Sequence, residues 1–429
     1  MDTKYTLKII SGGKQMLSLK EKIIRALVEG NFCKKVLGKI DKELGSFTRM
    51  LVSKNIKIQH NKILFINYQG DYACNQKYIC EEILKQNLPW DIVFAVKDIN
   101  KVKYNFPKGI RLVKRHSYEF YKEALSAHVW IDNAHNLLHE NVPKRKEQYL
   151  FNTWHGSMGL KRIGRCSEKD VEWVKRARKY HDNTNYCVSN SEFETNVYRE
   201  TYWNNKMTEI LLYGHPRNDI LFIDDDKKLK IKSKVCKKLN VNVNVNAKLA
   251  LYAPTFRELY KSDCFSVNYG CLYDALRKRF GGEWIILARH HFHLKSSSLA
   301  YDTIKNSEHV VRATDYDDMQ ELMVAADIGI TDYSSWICDF VLTKKPGFIF
   351  ATDLKEYNNG RGLYYPLETA PWPIAESNDA LIENILSFDN EKYQKDAEQF
   401  LYDRGCCEDG QASRRVVEKI KEIMENTAS

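Results

Sequence analysis

The stretch NTWHGSMGLKRIGR, Asn152 to Arg165, sets one histidine between a tryptophan and a glycine and follows them with Lys161, Arg162 and Arg165. Imidazole titrates near neutral pH, so His155 is suited to take a proton from an alcohol or to return one to a leaving group. Gly156 leaves room for a substrate to approach, and the three cations favour an anionic one. Four further polar clusters share this character: His215-Pro216-Arg217-Asn218-Asp219, Thr255-Phe256-Arg257, Arg289-His290-His291 and Asp332-Tyr333-Ser334-Ser335. A guanidinium binds phosphate oxygens as a planar fork, and Arg217, Arg257 and Arg289 together would suit a diphosphate. Ser334 and Ser335 lead into a helix beginning near Trp336, whose first N–H groups lack intrahelical acceptors and attract anions. His291 is the second candidate for acid–base work.

Each cluster directly follows a short apolar run, and this dictates the elements that must position it. From Ile63 onward, runs such as ILFINY, DIVFAV, HVWID, YLFNTW and EILLYG alternate with segments of helical periodicity. That alternation predicts a parallel sheet sandwiched between helices. It restarts with LALYAPT, WIILARH, DIGITDYSS and PGFIF after a lysine-rich helix and a Val/Asn repeat. The expected fold class is therefore α/β, with two tandem Rossmann-like domains and a cleft between them. The boundaries expected are a basic helical segment at 1–60, a first domain at 61–230, a second at 231–390, and charged helices at 391–429 that cross back to the first domain. Ligands of such sheets bind beyond the carboxyl ends of the strands, where the five clusters lie.

Bulk composition narrows the classes. A chain of 429 residues with 43% hydrophobic content is long enough for two cores. Residues 1–60 hold 13 Lys/Arg against 5 Asp/Glu, so most of the net +10 is local. Leu17, Ile24, Leu27 and Val28 fall at helical spacing among these lysines, which suits adhesion to an anionic membrane surface or packing on the main body. The longest apolar runs are too short to span a bilayer, and no signal segment opens the chain. Eleven cysteines without any C-x-x-C pair indicate a reducing compartment. The expected location is the cytoplasm. No nucleic-acid motif, glycine-rich dinucleotide loop or P-loop occurs, and no cofactor is expected. The metal expectation is also none: HHFH at His290–His293 lacks partners at ligand spacing, and the acids at Asp224–Asp226 and Asp315–Asp318 read as helix caps.

The motifs NTWHGSMGLKRIG, YGHPRNDIL, LYAPTFRE, ARHHFHL, ITDYSSWICDF and KKPGFIF, in this order, resemble the CDP-glycerol glycerophosphotransferase family of teichoic acid and capsule synthesis. The resemblance spans roughly Ile63 to Glu376. It implies a GT-B fold, with the acceptor on the first domain and a CDP-activated donor on the second. It further implies that glycerol phosphate passes from CDP-glycerol to a hydroxyl of a polyol-phosphate or glycan acceptor, lipid-linked in some members, with release of CMP. CDP-ribitol or a nucleotide sugar is the alternative donor. By motif position, His155 would be the base and His291 would assist the CMP leaving group. Ser334, Ser335, Arg217 and Arg257 would hold the diphosphate, Asp332 would orient the serine turn, and Gly156, Lys161 and Arg162 would face the acceptor. Ser157-Met158 departs from the Thr-Pro pair that usually follows the His-Gly of the family. The implied placement is peripheral, on the inner face of the cell membrane through residues 1–60.

Overall fold

The computed structural model describes residues 19–29, 38–68, 70–101, 106–163, 171–241, 247–255, 267–290, 308–360 and 362–426. Among them, seven strands form the first sheet: β1 (Gln59–Ile66), β2 (Asp91–Val96), β3 (Ile110–Lys114), β4 (Ala127–Asp132), β5 (Tyr149–Asn152), β6 (Tyr186–Ser189) and β7 (Glu209–Leu212). Their order is β3-β2-β1-β4-β5-β6-β7. Six more form the second sheet: β8 (Lys248–Tyr252), β9 (Trp284–Ala288), β10 (Val310–Arg312), β11 (Ile328–Thr331), β12 (Gly347–Phe350) and β13 (Ile374–Ala375). Their order is β10-β9-β8-β11-β12-β13. Every pairing in both sheets is parallel, with Ile63 opposite Ile92 and Val129 in the first, and Ile330 opposite Tyr252 in the second.

Parallel sheets are covered on both faces, so their strands read as unbroken apolar runs. All six residues of β4 and the last five of β1 are buried accordingly. One face of the first sheet packs on Ile79, Cys80 and Ile83 of the helix Cys74–Lys85 and on Val416, Val417 and Ile420 of the helix Ala412–Asn426. The other packs on Phe120, Tyr121 and Ala124 of the helix Tyr118–Ser126 and on Val28. The charged tail thus divides. Helix Asn390–Asp403 buries Tyr393, Ala397 and Phe400 in the core of the second sheet, and Ala412–Asn426 returns to the first.

The basic N-terminal helices, Leu19–Glu29 and Gly38–Ser53, have two faces. Val28 is buried, and Arg49 donates to the Val28 carbonyl while its guanidinium lies over the Tyr121 ring. Ile23, Leu44, Phe47, Met50 and Leu51 point outward, Phe47 being 54% exposed. Leu17 lies outside the described residues. Among the described residues no helix is long and apolar enough to cross a membrane.

The order of each sheet reverses beside its first strand, between β1 and β4 and between β8 and β11. At such switch points the connections leave on opposite faces and open a crevice. The two crevices face one another. Lys77 of the first domain bridges them, its ammonium 2.6 Å from Asp318 and 2.7 Å from Glu321 of the second. Asp318 also caps the helix Met319–Ala325, and Asp224 caps Asp225–Lys238, so these acids serve as the caps their spacing suggests.

Candidate active site

A cleft of about 420 Å³ lies where the switch points meet. It is lined by His155, Arg217, Thr255, Arg289, His290, Ser334 and Ser335, so each of the five polar clusters sends at least one residue into it. Asn67 and Tyr68 after β1 and Asn133 after β4 also line it. These three escaped the sequence reading although they obey the same strand-end rule that found the others.

His155 is exposed on a loop whose backbone is unusual. Trp154 and Met158 have φ of 46°, and Gly159 has φ of 57°. Non-glycine residues enter this left-handed region at a cost, and such strain gathers where a side chain must be aimed. The loop is accordingly tied at several points. Asn152 Oδ1 accepts from the Trp154 N–H at 2.8 Å, and Asn75 Nδ2 donates to the carbonyls of Thr153 and Trp154 at 3.0 and 3.2 Å. A Cβ on Gly159 would lie 2.9 Å from Val197 Cγ2, so the loop lies close over the helix Glu192–Glu200.

The imidazole is oriented from below and flanked by rings. Nδ1 of His155 lies 2.7 Å from the Asn133 carbonyl, which can only accept, so Nδ1 carries the hydrogen and the neutral ring has its lone pair on Nε2. Trp154 packs against the imidazole at 4.7 Å between centroids, and Tyr68 stacks on it at 6.5 Å. A base held in one tautomer at the edge of a cleft can accept a proton from a hydroxyl there.

Across the cleft, the turn after β11 is built around Asp332. This buried carboxylate accepts from the backbone N–H groups of Thr255 and Tyr333 and is not itself part of the lining. Trp336 Nε1 donates to the Ala253 carbonyl at 2.8 Å and pins the start of the helix Trp336–Phe340. A Cβ on Gly329 would lie 2.8 Å from Phe340 Cδ1, so only glycine lets that helix settle on β11. Ser335 occupies the cap position without a side-chain cap bond. The helix has five residues before it tightens into Val341–Thr343. It is therefore too short for the full macrodipole that a long helix would offer. What the turn presents is two hydroxyls at the start of the helix, the Ile337 and Cys338 N–H groups already donating to the Ser334 and Ser335 carbonyls.

The remaining candidates differ in how they are used. Arg289 lines the cleft and also donates to the Tyr316 carbonyl at 3.2 Å. His290 is buried beside Tyr269, and burial, reinforced by the Arg312 charge, pushes its imidazole down to about 4, so it is neutral at physiological pH. Arg217 is almost fully buried. Its Nε and Nη2 reach the Asp339 carboxylate at 2.9 and 3.3 Å, and Nη2 also donates to the Gly156 carbonyl. Burial alone would lower the guanidinium pKa, but Asp339 more than offsets this and holds it above the ordinary value. The rest of the HPRND motif is likewise engaged by protein: His215 packs against Glu194, Asn218 bonds Asp339 and Glu408, and Asp219 accepts from the Ala412 and Ser413 N–H groups.

On the acceptor side, Lys161 donates to Thr255 Oγ1 at 3.3 Å and lines both the main cleft and a smaller cavity of about 170 Å³ beneath the loop. Gly156, Ser157 and Ser335 also line that cavity. Arg162 lines neither and instead straps the loop to the second domain through the Gly362 and Leu363 carbonyls. Ser157 Oγ accepts from Asn190 Nδ2 at 2.9 Å, and Met158 is fully buried, so this departure from the Thr-Pro pair is packed inward. Arg165, Arg257 and His291 lie outside the described residues.

A family model described as CDP-Glycerol:Poly(glycerophosphate) glycerophosphotransferase matches residues 46–422. The chain is 30% identical over 395 residues to a teichoic acid poly(glycerol phosphate) polymerase of Staphylococcus epidermidis, covering 87% of this chain and 52% of that one. It is 28% identical over 386 residues to the polymerase of the same name from Bacillus spizizenii, covering 86% and 93%. The chain thus spans about half the length of the first relative and nearly all of the second. Among solved structures, a histidine variant of the wall teichoic acid polymerase TagF soaked with CDPG superposes with a TM-score of 0.78 at 27% identity, covering 92% of this chain and 96% of that one. The paired parallel sheets and this match make the fold GT-B-like.

Proposed function

Because this chain belongs to the CDP-glycerol:poly(glycerophosphate) glycerophosphotransferase family, we propose that it transfers glycerol phosphate from CDP-glycerol to a hydroxyl of a teichoic acid or capsular acceptor. The observation that carries this reading is the opposition, across one cleft, of His155 in a fixed tautomer and the Ser334-Ser335 turn. The acceptor is assigned to the first domain, residues 61–230, and the donor to the second, residues 231–390.

In the proposed reaction the acceptor oxygen attacks the β-phosphorus of CDP-glycerol. Its proton passes to His155 Nε2, the new P–O bond closes a phosphodiester, and the bond to CMP breaks. Phosphoryl transfer asks a protein mainly for alignment and for donors aimed at the phosphoryl oxygens. Ser334, Ser335 and Arg289 supply such donors at the cleft, Arg257 adds to them by its place in the family motif, and His291 assists the departing CMP on the same ground. Asp332 sets the turn without touching the donor. Lys161 guides a polyanionic acceptor past Gly156.

The test is CMP release from CDP-glycerol, compared with CDP-ribitol and UDP-glucose, in the presence of a lipid-linked glycerophosphate acceptor. Release from CDP-glycerol with incorporation into the acceptor is expected. Release from another donor alone would reassign the donor and retain the cleft.

The protein is placed at the inner face of the membrane, where a lipid-linked acceptor is presented. Support comes from the outward Leu44, Phe47, Met50 and Leu51 on a helix within the basic segment. Retention on anionic vesicles at low salt and release at high salt is expected; retention indifferent to both salt and lipid charge would oppose an electrostatic contribution.

A further inference from the structure

Resting on that reading, we infer that Asp339 is a positioning residue that sets the register between the base and the phosphate-holding turn across the interdomain cleft. Asp339 lies four residues after Ser335 in the same short helix, so the two side chains share a face, and both line the cleft. Its carboxylate receives three donors from one first-domain segment: Arg217 Nε at 2.9 Å, Arg217 Nη2 at 3.3 Å and Asn218 Nδ2 at 2.9 Å. The same Nη2 donates to the carbonyl of Gly156, the residue after His155. One guanidinium therefore touches the histidine loop on one side and the serine helix on the other.

Both ends of this tie are buried, Arg217 and Asp339 being 3% and 2% exposed. A buried fork of this kind tolerates little change in angle or length. The remaining nitrogen of Arg217, Nη1, is also buried and has no partner among the described residues. Two of its three guanidinium nitrogens are thus held by protein, and its charge is balanced by Asp339 before a donor arrives. A shift of the reacting groups by about 1 Å can cost on the order of a hundredfold in rate. A neutral, rigid pair joining the two walls limits that shift without adding net charge beneath the diphosphate.

Asp339→Asn separates the two roles. It removes one hydrogen-bond acceptor of the fork and leaves the Arg217 charge uncompensated beside the donor site. The expected result is kcat for CMP release down by about 10- to 100-fold, with the Kd for CDP-glycerol, read by titration calorimetry, several-fold tighter. A packing role alone would not tighten the donor. Unchanged kcat, or a Kd that stays or weakens, overturns the inference. Should Asp339→Asn not fold, Asn218→Ala decides, since it removes one donor and keeps the ion pair: kcat is expected to fall several-fold with Kd unchanged, and unaltered kcat or a weakened Kd overturns the inference. Wild-type turnover is measured first. A wild type idle on CDP-glycerol sinks the functional reading separately, and the variants are then compared on the donor it does use.

Discussion

On the first-domain wall of the cleft, His155 hangs from a loop in which Trp154, Met158 and Gly159 all have positive φ. On the second-domain wall, Ser334 and Ser335 occupy an ordinary strand-to-helix turn, Ser335 with φ −65° and ψ −8°. The first wall aims one side chain, and needs Asn75 and Asn152 to hold the backbone that carries it and the Asn133 carbonyl to orient the ring. The second presents hydroxyls that regular geometry already directs outward. A proton-transfer group must meet one hydrogen at one angle, whereas oxygens of a diphosphate accept donors from a wide cone. Of the two walls, the one where direction matters more carries the left-handed residues Trp154 and Met158.

The sharpest way to break this contrast is His155→Ala. Transfer is expected to fall by about a thousandfold or more with donor affinity unchanged, because only the attack step uses the imidazole. CMP release and CDP-glycerol titration check both halves, and near-normal turnover would remove the base from the first wall. Ser335→Ala probes the opposite wall: loss of a hydrogen bond to a charged group is expected to raise the donor KM by about 10- to 100-fold and leave the acceptor KM nearly unmoved. An acceptor KM that rises as much would mean that the walls do not divide the substrates between them.

The smallest effect concerns the brace behind the first wall. Glu408 accepts from the His215 N–H and from Asn218, while its Oε2 is buried without a partner among the described residues. Burial, opposed by the bond from Asn218, pushes this carboxyl up to about 8 from its ordinary 4.5. The folded protein thus holds a proton that the unfolded chain has released, so this group's contribution to stability falls as pH rises from about 4.5 to about 8. Glu408→Gln should match wild type near the lower pH and melt a few degrees higher above the upper one. Parallel melting curves at both pH values would show that the carboxyl is ionised in place.

Much of this was legible because it is local. Apolar runs of strand length broken by helical periodicity announced two parallel sheets, and the strand-end rule led to His155, Arg289, Ser334 and Ser335, all of which line the cleft. The same rule applied to ILFINY and HVWIDN would have found Asn67, Tyr68 and Asn133. The use made of Arg217 was not legible. Its charge suggested a phosphate, and nothing nearby in the chain names Asp339, 122 residues away, as its partner. The residue types at strand ends follow from backbone periodicity, which a few neighbouring residues specify. Which buried charge meets which depends on how two separately folded sheets are set against each other. That setting is decided by contacts such as Lys77 with Asp318 and Arg217 with Asp339, which exist only once both domains are in place.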